Sequence, residues 1–117
     1  MRSNLVISLA VLTTLGCVGT PHNDASEISS FEVSVYKAGL EKGCRDAGRN
    51  RGDSAAQVDS FCSCLVTTLN DRLSESDWKR ATFFAQQRRD RDEYGVVAPH
   101  MPAVEQCRAT SRMQHGA

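Results

Sequence analysis

The chemistry open to this 117-residue chain lies in its five cysteines, Cys17, Cys44, Cys62, Cys64 and Cys107. Two of them stand one residue apart in Ser60-Phe61-Cys62-Ser63-Cys64-Leu65-Val66. Cys-x-Cys thiolates are soft ligands suited to Cu(I) or Zn(II). Further ligands are then required, and the three histidines, His22, His100 and His115, fall in stretches that read as tether, loop and tail, none at ligand spacing from the pair. Dithiol redox chemistry of the thioredoxin kind uses two intervening residues at a helix N-terminus. The remaining chemistry is disulfide formation. Glycosidase-like work would need paired carboxylates in a cleft, and the carboxylates Glu41, Asp46, Asp59 and Asp71 read as solvated. The chain also lacks a Gly-rich phosphate loop, a Gly-x-Ser-x-Gly elbow and a His-Glu-x-x-His motif. The expectation is a protein that is not an enzyme and needs no cofactor.

The elements that hold these cysteines read as helices. Val58, Phe61, Cys62, Leu65, Val66, Leu69 and Leu73 recur at helical spacing and predict a central helix over 54–73. On it Cys62 and Cys64 lie about 200° apart, so they cannot bond to each other. Two pairings remain: Cys44 with Cys62 and Cys64 with Cys107, or Cys44 with Cys64 and Cys62 with Cys107. Either ties the central helix to both a preceding and a final helix. The preceding helix, over 29–47, has Phe31, Val35, Tyr36, Leu40, Cys44 and Ala47 on one face, and Gly39 and Gly43 beside it predict close approach of a neighbouring backbone. Residues 48–53 read as a loop, with Gly48 ending the first helix and Asp53 or Ser54 capping the second. Its Arg51-Gly52-Asp53 matches an adhesion tripeptide, but a glycine turn followed by a cap accounts for the same residues.

Ser74 with Asp77 three residues on predicts the start of a third helix. Trp78, Ala81, Thr82 and Ala85 line its inner face, Phe84 sits at the margin, and Phe83 falls outside it. Trp78, Phe83 and Phe84 therefore make an expected partner surface on a second apolar side. The helix runs into a solvated, charge-balanced end over 86–93. Gly95 and Pro99 break the chain over 94–100, where Val96 and Val97 cover the core. Pro102 opens a shorter final helix with Val104, Cys107 and Ala109 inward. The fold expected is all-α, a small bundle of three long helices plus a shorter fourth, stapled by two disulfides. Its domain spans 29–110, and 111–117 is a frayed tail.

The N-terminus carries Arg2, an apolar run over 5–15, and Thr14-Leu15-Gly16-Cys17. The run has signal-peptide length and is short for a permanent span. These residues resemble the lipobox of bacterial lipoproteins, with the usual leucine, here Leu15, one place nearer the cysteine. The resemblance implies a signal peptide over 1–16 and lipidation of Cys17, which becomes the new N-terminus. Assigning Cys17 to lipid also leaves an even set of four cysteines for an oxidising compartment. Residues 17–28 then form the lipidated N-terminus and a flexible tether. Val18 after the cysteine, by the same resemblance, points to the outer membrane facing the periplasm; the alternative is a soluble periplasmic or secreted protein.

Lysine plus arginine and aspartate plus glutamate both number 14, so no global field attracts nucleic acid. Aromatic content of 6% gives no base-stacking platform. In outline the chain resembles small disulfide-bonded helical envelope proteins, among them secretion-system pilotins and acid-stress periplasmic chaperones. The likeness covers architecture and leader, and those groups typically carry one disulfide. The expected function is protein binding in the envelope, with another envelope protein as partner: an assembly factor, a chaperone-like adaptor or a toxin-neutralising immunity protein. The alternative is a small periplasmic metal-binding protein using reduced Cys62 and Cys64.

Overall fold

A computed structural model describes residues 22–115, and for 114 and 115 the backbone alone. The leader over 1–16 and Cys17 lie outside these residues. Five α-helices follow one another: α1, Ser30–Asn50; α2, Ala55–Arg72; α3, Glu75–Gln86; α4, Asp90–Val97; and α5, Met101–His115. Short 3-10 turns at Ala25–Glu27 and Ala98–His100 precede α1 and α5, and no strand occurs among the described residues. The protein is a small all-α bundle. It differs in detail from the expected helix set, because α3 has only 12 residues, α4 is an additional helix of 8, and α5 reaches 15.

Three of the helices start the same way. Ser29, Ser54 and Ser74 each accept a hydrogen bond from the backbone three residues on, and Glu32, Gln57 and Asp77 each reach back to the serine's own N–H. These reciprocal caps satisfy two otherwise orphaned donors apiece. Between α1 and α2 the chain turns through Gly52 at a φ of 86°, a conformation that favours glycine. Gly48 does not end α1, which runs on to Asn50. Its lack of a side chain serves packing instead, because a Cβ there would stand 2.8 Å from Val58 Cγ2.

The third helix does not continue to 93. It ends at Gln86, after which Arg88 takes the left-handed conformation at a φ of 56°. Arg88 N–H donates to the Ala85 carbonyl and Arg89 N–H to that of Phe84, the paired bonds that close a helix C-terminus. The expected solvated stretch is therefore mostly a turn and a new helix start. In turn, Gly95 lies within α4 instead of breaking the chain, and Val96 is buried as anticipated. Residues 111–115 are not frayed: α5 continues through them, and the buried Ser111 donates its hydroxyl to the Gln57 carbonyl.

Leu69, Leu73, Trp78, Ala81, Val96 and Val104 form the core, with Val33, Tyr36, Leu40, Phe61 and Leu65 packed around it. Cys44 bonds to Cys62 and Cys64 to Cys107, which selects one of the two open pairings. α2 packs against α1 and α5, so each bridge staples it to one neighbour. On α1 the covered side is narrower than the sequence pattern. Phe31, Val35 and Ala47 are exposed, and nothing lies within 4 Å of where a Cβ would stand on Gly39 or Gly43. No backbone approaches those glycines.

The segment over 22–28 is not a free tether. Its Ala25–Glu27 turn packs on α3 and Ile28 is buried with 2% of its surface exposed. His22 Nε2 lies 2.7 Å from Glu32 Oε1, while Gln86 Nε2 donates to the same carboxylate at 3.2 Å. Residues 22–28 form a strap across the start of α1 and the end of α3.

Candidate functional site

Cys44, Cys62, Cys64 and Cys107 are structural. Cys62 and Cys107 are buried and all four sulfurs of the domain are in disulfides; the Thr68 hydroxyl lies 3.4 Å from Cys107 Sγ. His22 is on the strap, His100 ends the second 3-10 turn, and His115 is the last residue of α5. Among the described residues, no three His, Cys, Asp or Glu side chains converge to hold a metal ion.

The partner surface expected at Trp78, Phe83 and Phe84 is not there. Trp78 is 5% and Phe83 8% exposed, and Phe84 is half-buried beneath the Arg89 guanidinium, 4.8 Å from the ring centre. Trp78 stands edge-on to Tyr36 with Lys37 Nζ 4.5 Å from its ring centre. The second apolar side of α3 exists, but it meets protein. The strap and α4 both pack on this helix, and neither contact is visible in the period of α3 alone.

An unfilled apolar surface occurs instead where four helices meet. Tyr36 and Leu40 of α1, Leu65 and Leu69 of α2, Val97 of α4, and Met101 and Val104 of α5 line a cleft of about 300 Å³. Asp90, Glu93 and Tyr94 of α4 form its acidic and aromatic lip. The Tyr36 hydroxyl donates to Glu93 Oε2, linking α1 to α4 across the cleft. Burial pushes the Tyr36 hydroxyl well above its ordinary pKa, and the Glu93 carboxylate pushes it the same way. Tyr36 therefore remains a neutral donor at any physiological pH. Tyr94 is largely exposed, and Asp90 makes no ion pair among the described residues.

What such a cleft can do follows from its lining. It has apolar walls for an aliphatic or aromatic group and a negative edge that favours a cation beside it. Its titratable groups are the Asp90 and Glu93 carboxylates and the Tyr36 and Tyr94 hydroxyls, with no histidine, cysteine, serine or lysine in the lining. A second groove, of about 460 Å³ and mixed polar and apolar lining, runs past Arg51, Asp53, Phe61 and Arg108. There Arg51 pairs with Asp53 at 3.1 Å across Gly52, and Arg108 stacks on Phe61. The tripeptide match is thus an internally paired turn.

The cleft residues have a sequence signal that the break reading concealed. Asp90, Tyr94, Val97, Met101 and Val104 fall three or four positions apart, one helical stripe crossing Gly95 and Pro99. Glycine and proline are strong punctuators, yet here both are accommodated within a nearly continuous helical run. No family model, curated protein or solved structure matches this chain.

Proposed function

We propose that this chain is a non-enzymatic lipoprotein of the bacterial cell envelope, anchored through Cys17 in the outer membrane and facing the periplasm, that binds another envelope protein. The cleft between α1, α2, α4 and α5 receives an apolar side chain of that partner, with a basic residue of the partner at the Asp90 and Glu93 lip. The apolar lining of this cleft, with its acidic lip, is the observation that supports the reading. The roles this reading covers are assembly factor, chaperone-like adaptor and immunity protein.

The test is site-specific photo-crosslinking in native envelopes. A crosslinker replacing the exposed Tyr94 should give a discrete adduct, and one at exposed Asn70, outside the cleft, should not. Equal labelling from both positions, or none from Tyr94, counts against the reading. Intact mass of membrane-extracted protein tests the anchor separately, a soluble periplasmic or secreted chain showing no acyl addition.

A further inference from the structure

A lipid at Cys17 limits how far the domain can stand from the bilayer, and the strap tightens that limit. Read as sequence, 17–28 is a long leash. In the structure the chain is held from His22 onward, by the His22 contact to Glu32, by a 3.7 Å contact to Glu27, and by the buried Ile28. Only residues 18–21 separate His22 from the anchor. Five Cα steps span at most roughly 18 Å, against about 31 Å for the length of α1. The domain is too closely tethered to turn freely above the membrane.

The surface next to that exit is apolar. His22 lies against Glu32 in the first turn of α1, and on that turn and the next Phe31 is 75% and Val35 55% exposed. Among the described residues four large apolar side chains stand most exposed, and two of them are this pair. Spaced by four, they project from one side of the helix. Gly39 carries the same line onward with open space over it. Beside them Asp24, Glu27 and Glu32 outnumber His22, which contacts the last two, on the strap side, while Lys37 is turned over Trp78 and Lys42 pairs with Asp46 at 2.7 Å.

We infer that the first two turns of α1 rest on the bilayer that holds the anchor, with Phe31 and Val35 entering the interface of zwitterionic lipid. The inference rests on the proposed lipidation of Cys17. Short reach supplies the occupant: a surface within roughly 18 Å of the exit is covered by the membrane before any diffusing partner reaches it. The acidic surroundings select neutral over anionic headgroups. Two apolar side chains are a weak membrane ligand alone and an effective one beside a covalent lipid.

The experiment uses the full chain extracted from membranes and reconstituted into phosphatidylcholine vesicles. Phe31→Trp introduces an exposed indole, while the native chain, whose single Trp78 is buried, serves as control. The expected result is a blue-shifted emission from the Phe31→Trp chain and a loss of the added intensity in vesicles of brominated lipid, with little change in the native chain. Replacing half the lipid by phosphatidylglycerol should reduce the quenching; a rise would overturn the choice of neutral lipid. An acylated chain whose introduced indole stays unquenched overturns the inference and leaves the anchor intact. A blue shift without vesicles, with a doubled mass in solution, assigns the face to a second copy and overturns it too. An intact mass without acyl groups removes the anchor and the inference with it, a result separately visible from the quenching.

Discussion

Replacing Cys64 and Cys107 together by alanine should destabilise the domain more than replacing Cys44 and Cys62. The bridges close loops of 43 and 18 residues that follow one another without overlap, so each restrains its own part of the unfolded chain. Loop-closure entropy assigns about 4 kcal/mol to the longer loop and about 3 kcal/mol to the shorter at 25 °C. Packing does not blur the comparison, because each pair joins one buried sulfur, Cys107 or Cys62, to one half-buried sulfur, Cys64 or Cys44. The expected difference is therefore about 0.8 kcal/mol, with the longer loop the costlier loss.

Urea unfolding followed by far-ultraviolet circular dichroism gives both stability and m-value for the native chain, the two double variants and the quadruple variant. The m-value should rise as each crosslink is lost and the unfolded state expands. The quadruple variant should lose about 7 kcal/mol, much of the 5–15 kcal/mol typical of a whole domain, and should lack a sharp thermal transition. Equal losses from the two double variants, or a larger loss from Cys44 and Cys62, would refute the argument that loop length sets each contribution.

Glycine replacements in α1 should differ in sign. Gly39→Ala and Gly43→Ala, in open helical positions, should each stabilise by about 0.5–1 kcal/mol in urea titrations. Gly48→Ala should destabilise by about 1–3 kcal/mol, since its Cβ would press on Val58. Phe83→Ala should cost about 3–5 kcal/mol as a buried truncation, where an exposed partner residue would change stability by less than about 0.5 kcal/mol. The strap should dock most firmly in mildly acidic solution. The Glu32 hydrogen bond raises the His22 pKa above 6.5, so that contribution is complete below 6.5 and is lost as pH rises through the folded value. The Ser29 backbone N–H and His22 lower Glu32 from 4.5 to about 2, so its contribution is present above 4.5 and is lost as pH falls toward 2. An NMR titration of the His22 ring should give a midpoint above 6.5 that returns toward it in Glu32→Gln, and an unchanged midpoint would remove this contact from the account.

The parts of the fold legible in the sequence are those governed by one element at a time. The stripe from Val58 to Leu73 identifies α2, and the angle between Cys62 and Cys64 forces two different partner helices. The choice of Cys44 for Cys62 depends on the register of α1 against α2, which no periodicity carries. Phe31 and Phe83 fail in opposite directions for one reason. A helical pattern reports which residues are apolar, whereas burial depends on which neighbour arrives. α3 gains the strap and α4, and Phe83 on it is buried; among the described residues nothing covers the outer side of the first turns of α1, and Phe31 stays exposed. Arg88 is illegible for another reason, since an arginine in the left-handed region costs roughly 1–2 kcal/mol and sequence favours glycine or asparagine there. Of the two caps offered for α2 the structure uses Ser54, whose Gln57 three residues on completes a capping box, and the same pattern at Ser29 with Glu32 is legible in the sequence.

The two proposed surfaces must be usable at the same time, and the geometry of α1 decides whether they are. Each residue advances about 100° around a helix. Tyr36 therefore lies about 100° from Val35 and Leu40 about 140° from it, so the side of α1 that lines the cleft is turned away from the side carrying Phe31 and Val35. A domain lying on the bilayer through the latter leaves the cleft open to the periplasm. On the two proposals the same helix sets both orientation and binding: its outer face would fix how the domain lies, and its inner face would present Tyr36 and Leu40 to a partner. Breaking the strap while leaving the apolar side chains of both surfaces in place separates these roles. With Glu32→Gln the reach from Cys17 lengthens whenever 22–28 detaches, and quenching at Phe31→Trp should weaken while crosslinking from Tyr94 persists. Loss of both together would mean that the strap also shapes the cleft, and that the two faces of α1 do not act independently.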